Sequence, residues 1–575
     1  MKRRLARMAA IFAFGGAVAA LPAYAEPTGS VDQVSNIGPT GDASFDADDP
    51  ELAFAPSGGG LAVYTGEPVD EEQEAYARPL DATGRPTGTE RRVTSVGTDG
   101  STDDAARNPD AVYDPVRDRF LVVWSNAIGF DEDILAQRVG RDGAPVGTPV
   151  PVGEAGGVGP GSDGDNQRPR VDYDPGRDEF LVVWTDSRNG TEGEVRAQRL
   201  SGATLGQVGA DDFFVSVDGG DNLDANRVDV AFGGGSFLVA WSDLTAGGDE
   251  EIFGRRVSSG GALGPGETRF SQQGTADDDG FDASRPAVAY NPRQNEFLVA
   301  WGGEVPDGSG DDILQILGRR ASASGAPLGG AFQISQQTAQ GDAEDPGVAA
   351  DPRNGEYFVA WEAERPNEKE IHGQRLTGAG AETGANDAQF SNQGPPGDPN
   401  FDAESAAAAF NPAAGEFLVA WAGTRSFDAG SDDTEDEVFA RRGTSPFSPP
   451  APPAPAPGPP VAAPVPIATT PPPLRARDVI RFPSARRCVS RRRFRIRLRR
   501  PGGVRLVSAR VVLNGKRLRV LRGRRLTSAI VLRGLPKGRF KVKITVTTST
   551  GKKLTGTRKY RTCTKKRKSR RPPPL

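Results

Sequence analysis

Carboxylates are the only abundant reactive side chains in this chain. It has 76 Asp and Glu, against one His and two Cys in 575 residues. Two carboxyl groups at a fixed separation can cleave a glycosidic bond, one as acid and the other as nucleophile or base. Clustered carboxylate oxygens can also hold Ca²⁺. Acidic runs recur along the first 445 residues: Asp163-Gly-Asp165, Asp221-Asn-Leu-Asp224, Asp249-Glu-Glu251, Asp277-Asp-Asp-Gly-Phe-Asp282, Asp311-Asp312 and Asp432-Asp-Thr-Glu-Asp-Glu437. Asp277, Asp279 and Asp282 are the candidate Ca²⁺ ligands, but no run has the full Asp-x-Asp-x-Asp-Gly spacing with a distal Glu. Nothing in the spacing selects a catalytic pair, so no catalytic residue is expected. Asp and Asn also shape turns by bonding nearby backbone, which accounts for such runs without a ligand. His372 is the single His, so His-based catalysis and His/Cys metal centres are excluded. No other cofactor is expected.

The net charge of −6 hides two opposite halves. From residue 446 onward there are 36 Lys and Arg and one acidic residue, Asp478. Within this basic part, Arg493-Phe-Arg-Ile-Arg-Leu-Arg499 and Arg539-Phe-Lys-Val-Lys-Ile-Thr-Val546 alternate strictly. Such alternation marks half-buried strands. It puts Arg493, Arg495, Arg497, Arg499, Lys541 and Lys543 on an outer basic surface. Polycationic surfaces attract anionic polymers and membranes without sequence specificity. The expected partner is therefore an anionic wall polymer or membrane surface, with self-association through the opposite charges as the alternative. Cys488 and Cys563 bracket this segment and are expected to form a disulfide, as suits an exported chain.

These groups are positioned by a repeat. Trp124, Trp184, Trp241, Trp301, Trp361 and Trp421 are all the tryptophans, spaced 57 or 60 apart, and Tyr64 falls at the preceding position. A fixed period of this size signals an array of identical supersecondary units. In one copy, Arg285–Tyr290, Glu296–Trp301, Gln315–Arg320 and Phe332–Ser335 read as four strands. The second is apolar on both faces, as expected for a blade sandwiched between neighbours. The seventh copy lacks its fourth strand. Val31–Asn36, at the other end, matches the missing one and is expected to close the ring. The tryptophans are therefore structural core rather than a binding set. His372 is a strand side chain. Arg138, Arg199, Arg256, Arg320, Arg375 and Arg442 recur as a structural set, pairing with blade carboxylates or stacking on the tryptophans.

The Phe-Leu-Val-Ala-Trp strands and the later Ala136-Gln-Arg138, Ala197-Gln-Arg199 and Gly373-Gln-Arg375 strands resemble repeats of bacterial extracellular β-propellers. The resemblance spans about residues 30–445 and implies the fold and little about activity. The segment around Leu535-Pro-Lys-Gly538 resembles bacterial Ig-like modules.

The first residues have an export signature: Lys2, Arg3, Arg4 and Arg7, an apolar run to Leu21, then Ala23-Tyr24-Ala25. The expected architecture is all-β. It comprises a signal peptide (1–25), a seven-bladed propeller (30–445), a Pro/Ala-rich linker (446–474), an Ig-like β-sandwich (475–563) and a basic tail expected to be disordered (564–575). The expected function is an extracellular, secreted or surface-associated, non-catalytic binding or scaffold protein, not an enzyme, with an unknown propeller ligand. The alternative is a secreted carboxylate-dependent carbohydrate-active enzyme or lyase.

Overall fold

The computed structural model describes residues 27–37, 45–69, 72–96, 104–128, 131–153, 166–186, 193–216, 225–245, 249–272, 282–306, 312–336, 341–365, 368–392, 402–425 and 435–444. In the basic part it describes 479–481, 495–498, 506–514, 516–522, 530–532, 539–548 and 552–561. The described residues hold strands, turns and bends and no helix. The segments expected to be signal peptide, linker and basic tail, and both cysteines, Cys488 and Cys563, lie outside them.

Each repeat forms four antiparallel strands. In one, Ala283–Asn291, Glu296–Pro306, Asp312–Ser322 and Pro327–Gln333 pair in sequence order. Among the described residues, seven such groups follow one another. The first two are joined into one sheet by a single parallel bridge, Gln73 to Ala105. In the last group, Ala403–Asn411, Glu416–Arg425 and Glu435–Gly443 are joined by Pro27–Gln33 from the N-terminal end. Pro27 pairs with Gly443 and Gln33 with Phe439. The first strands of successive groups pack against one another, and Ala403–Asn411 packs back onto Ala47–Phe54. The fold is a β-propeller.

The doubly apolar second strands explain this packing. Phe297, Leu298, Val299, Ala300 and Trp301 are all buried. Their side chains alternate between the two faces, so one strand feeds two interfaces. Phe297, Val299 and Trp301 join the core against the preceding blade, and Leu298 and Ala300 join the core against the following one. The same division recurs at every interface, with one tryptophan in each of six interfaces. Tyr64 takes that place where the first and last blades meet, beside Leu418, Ala420 and Val438. Tyr64 stacks on Tyr76 with ring centroids 6.1 Å apart, and its hydroxyl donates to Glu90.

Two polar latches recur within this apolar frame. A Ser or Thr near the fourth strand accepts a third-strand N–H and donates to a buried acid or amide on that strand. Ser35 accepts from Val438 at 2.7 Å and donates to Glu437; Ser271 accepts from Ile252 at 2.7 Å and donates to Glu251. Thr94 with Glu74, Ser335 with Gln315 and Ser391 with Glu370 repeat the pattern. The second latch is an Asp just before a first strand that accepts an N–H from the third strand of the preceding blade: Asp46 from Asp436, Asp282 from Glu250, Asp342 from Leu314 and Asp402 from Lys369.

The basic segment builds two antiparallel sheets. One holds Ile480–Arg481, Arg495–Leu498 and Ile530–Val531. The other holds Lys516–Arg522, Leu506–Leu513, Arg539–Thr548 and Lys553–Arg561. Val479, Ile496, Ala509, Val511, Phe540, Val542, Ile544, Val546 and Tyr560 share one core. Strict alternation along Arg539–Val546 thus places Phe540, Val542, Ile544 and Val546 inward and Arg539, Lys541 and Lys543 in solvent.

Candidate functional site in the central channel

A cavity of about 740 Å³ runs between the seven first strands, and residues from all seven line it. Each of these strands is broken at one point near its start. The register shifts between Asp48 and Glu51, Arg107 and Asp110, Gln167 and Arg170, Asn226 and Val228, Ser284 and Ala287, Glu344 and Gly347, and Glu404 and Ala407. One residue in each break has a positive φ between 48° and 58°: Asp49, Asn108, Arg168, Arg227, Arg285, Asp345 and Ser405. None is a glycine, although left-handed backbone costs an L-residue about 1–2 kcal/mol. In five of the seven a proline follows. Proline has no N–H to lose from the ladder, which suits a bulge. Bulges of this kind re-aim side chains, and here all seven residues line the same cavity, each half-buried.

This ring is polarised. Arg168, Arg227 and Arg285 come from three successive blades, and Asp345, Ser405, Asp49 and Asn108 complete the circle. Burial, reinforced by Arg168 and Arg285, pulls the Arg227 guanidinium down to about 10. Arg285 pairs with Glu344 at 3.0 Å and with Asp345.

Two residues further along each strand a second tier lines the channel: Glu51, Asp110, Arg170, Asp229, then Ala287, Gly347 and Ala407. Four blades supply charge and three supply little or no side chain. Arg170 Nη2 lies 3.0 Å from Glu51 Oε1. Burial pushes the Glu51 carboxyl upward, and the carboxylates of Asp110, Asp229 and Asp49 add to this against the opposing pull of Arg170. Deeper carboxylates stitch blades together. Asp110 Oδ2 accepts from Val171 N at 2.7 Å, Asp172 Oδ2 from Phe232 N at 2.6 Å and Asp229 Oδ2 from Val288 N at 2.6 Å. Burial raises Asp172 to about 7 and Asp229 to about 6.

The residues singled out from the sequence lie elsewhere. Asp277 and Asp279 lie outside the described residues, and Asp282 is occupied as a blade latch. No cluster of three or more metal-ligating side chains occurs among the described residues. His372 is buried in its strand, with Nδ1 2.9 Å from the Asp387 carbonyl oxygen. Four of the six recurring arginines pair with second-strand carboxylates: Arg199 with Glu179 at 3.1 Å, Arg320 with Glu296 at 2.8 Å, Arg375 with Glu356 at 3.8 Å and Arg442 with Glu416 at 3.6 Å. Arg138 and Arg199 also donate to carbonyls of the next blade, those of Gly202 and Gly260. Lys541 and Lys543 are exposed, Arg495 and Arg497 lie on a described strand, and Arg493 and Arg499 lie outside the described residues. The channel ring was missed. Its signal was a residue of changing type, usually before Pro, at the same place in each repeat.

No protein-family model and no curated protein matches the chain. Among solved structures it is similar to an α-L-arabinofuranosidase from Fusarium graminearum, at 10% identity over 72% of this chain and 98% of that one, with a TM-score of 0.42. It is also similar to an α-L-arabinanase from Penicillium chrysogenum, at 12% identity over 72% of this chain and 97% of that one, with a TM-score of 0.40. A third similar structure is a polysaccharide lyase, an ulvan lyase, at 10% identity over 69% of this chain and 94% of that one, with a TM-score of 0.42. These neighbours are enzymes, against the expectation of a protein without enzymatic activity; at 10–12% identity they show the propeller fold alone. That expectation rested on finding no selected carboxylate in the sequence; the first strands bring Glu51, Asp110 and Asp229 around one channel.

Proposed function

We propose that the chain is an exported carbohydrate-active enzyme. Its propeller has seven blades, closed by the strand Pro27–Gln33, and a sugar enters the central channel. The observation that carries this reading is Glu51. Its carboxyl is raised by burial in a cavity of about 740 Å³ and stands beside further channel carboxylates. A carboxyl held protonated toward neutral pH is the acid that glycosidic cleavage needs, and a second, ionised carboxylate completes the pair. Asp49, two residues earlier and lining the same cavity, is the candidate for that second role. Glu51 would protonate the leaving oxygen as its bond to the sugar carbon breaks, and Asp49 would take a proton from the water whose oxygen bonds to that carbon.

The test is turnover of a glycan panel by the secreted mature protein. Glu51→Gln should lower the rate by about 10²-fold or more while the melting transition remains cooperative. If no glycan is cleaved, or if the variant keeps its rate, this reading fails.

The basic module is proposed to be an Ig-like sandwich, bridged by Cys488 and Cys563, that retains the enzyme at an anionic wall polymer or membrane surface. The supporting observation is that Arg539 lies directly opposite Arg561, and Lys541 directly opposite Lys559, in the four-stranded sheet. Like charges directly opposite across strands are destabilising, and a polyanion would relieve that repulsion. Salt-sensitive retention that disappears with residues 475–575 tests it.

A further inference from the structure

We infer that the sugar entering the channel carries an acidic group, a carboxylate or sulfate, which the Arg168, Arg227 and Arg285 arc receives. This inference rests on the channel reading above and names its substrate class.

Three features of the channel converge on it. First, three cations occupy one arc of a ring whose remaining positions are acidic or neutral. Because the backbone repeats blade by blade, the arc is set by side-chain type alone. Second, all three arginines sit on left-handed backbone, at φ 52°, 48° and 58°, where glycine would be unstrained. Strained conformations persist where the surroundings over-determine them and cluster at binding sites. Third, Arg227 is half-buried, and its burial, with the charges of Arg168 and Arg285, makes its own charge harder to hold against the pull of Asp345 and Asp49. An arriving anion reverses that interaction. Guanidinium groups match carboxylate and sulfate oxygens with paired N–H donors.

The tier below shows where the rest of the sugar goes. Glu51 and Arg170 put charged groups on one side of the channel, whereas Ala287, Gly347 and Ala407 bring no polar side chain to the other. A ring bound over those small residues would place its acidic group near Arg227 and Arg285, its hydroxyls near Ser405 and Asp345, and its scissile linkage toward Glu51. Asp345 and Glu344 hold Arg285 in place before the ligand arrives. Their negative charge also disfavours binding at the arginines by an anion alone, without the rest of a sugar.

The experiment is calorimetric titration of the full mature protein, wild type and Glu51→Gln, with a galacturonate tetramer, a sulfated galactose tetramer and the neutral galactose tetramer. At least one anionic tetramer should bind, the neutral one at least about tenfold more weakly, and the affinity should fall between about 50 and 500 mM salt. The anionic tetramer that binds identifies whether the acid group is carboxylate or sulfate. Arg227→Gln and Arg168→Gln should each weaken that binding about tenfold or more, with Arg227→Lys intermediate because a point charge lacks the paired donors. Equal binding of the neutral tetramer, no binding of either anionic tetramer, or unchanged affinity in both Gln variants overturns the inference. Binding without cleavage would instead sink the catalytic reading and leave this one standing.

Discussion

Arg170 and Glu51 meet across the channel although they belong to strands that are not neighbours. Arg170 Nη2 lies 3.0 Å from Glu51 Oε1, while the strand bearing Asp110 runs between theirs. Arg170 thus balances carboxylates from several blades: Glu51, Asp110 and Asp229 all act on it. Arg170→Met removes the cation that faces Glu51 and offsets the charges of Asp110 and Asp229, and should cost about 2–4 kcal/mol in chemical denaturation. Adding Glu51→Gln should return part of that loss, because the two groups are coupled. A purely additive double variant would show that the pair does not interact.

Stability should fall as pH rises from about 4 to about 7, partly through Asp172 and Asp229. Burial raises their carboxyls to about 7 and about 6 in the fold, against roughly 3.9 in the unfolded chain. The folded state therefore binds more protons through this window, and stability declines with pH. The contribution is fully present below pH 4 and gone above pH 7. Asp172→Asn keeps one oxygen for the Phe232 N–H, gives up the second acceptor that meets the Tyr173 N–H, and does not titrate there. The variant should have a flatter pH profile of unfolding free energy; a parallel profile would contradict the raised value.

Ser35 links the N-terminal strand to the last blade. It accepts the Val438 N–H and donates to buried Glu437. Ser35→Ala leaves a buried carboxylate without that donor and should cost about 1–3 kcal/mol. Deleting residues 26–40 should lower the melting temperature much further by exposing Leu418, Ala420 and Val438 at the seam. Unchanged melting in both proteins would mean that the first and last blades do not depend on this strand.

Much of the frame was legible in the sequence, and the residues explain why. The tryptophans and their Phe-Leu-Val-Ala strands obey one rule, burial on both faces, so their identity repeats and can be counted. The Asp46, Asp282, Asp342 and Asp402 latches also repeat, but the sequence singles out only Asp282, as a metal candidate, because the acceptor role depends on backbone from the preceding blade. The channel ring was illegible because each blade contributes a different residue. Arg168 lies far from Arg285 in sequence, and only closure of the first strands around one cavity puts them in a single arc. The bulge that aims them leaves no mark except a proline that also suits an ordinary turn.

Gly153 gives a local test of how tightly the blades mesh. It takes the place where other blades carry the latch Ser or Thr, and a methyl there would come within 2.4 Å of the buried Trp184 ring. Gly153→Ala should therefore destabilise by about 1–3 kcal/mol through overpacking. Trp184→Phe in the same protein should recover part of the loss, since the smaller ring vacates the contact. If Gly153→Ala is neutral, the interface between these two blades yields more readily than its burial indicates.

The basic sheet predicts opposite effects of one substitution on two measurements. Lys541 is exposed and directly faces Lys559, two residues along from the Arg539 and Arg561 pair on the same outer face. Lys541→Glu replaces a repulsive cross-strand pair with an attractive one, worth about 0.2–1 kcal/mol relative to a neutral pair. The module should then unfold at higher denaturant concentration. The same change removes positive charge from the surface proposed to meet a polyanion, so retention on anionic wall material should weaken, most clearly at low salt. Lys516→Glu, also exposed and on the neighbouring hairpin strand, lacks an opposing cation in its register with Leu513. It should weaken retention without the gain in stability. If Lys541→Glu stabilises the module and retention is unaltered, the cationic face is not the contact surface. If it does neither, the cross-strand repulsion is already screened by solvent and salt.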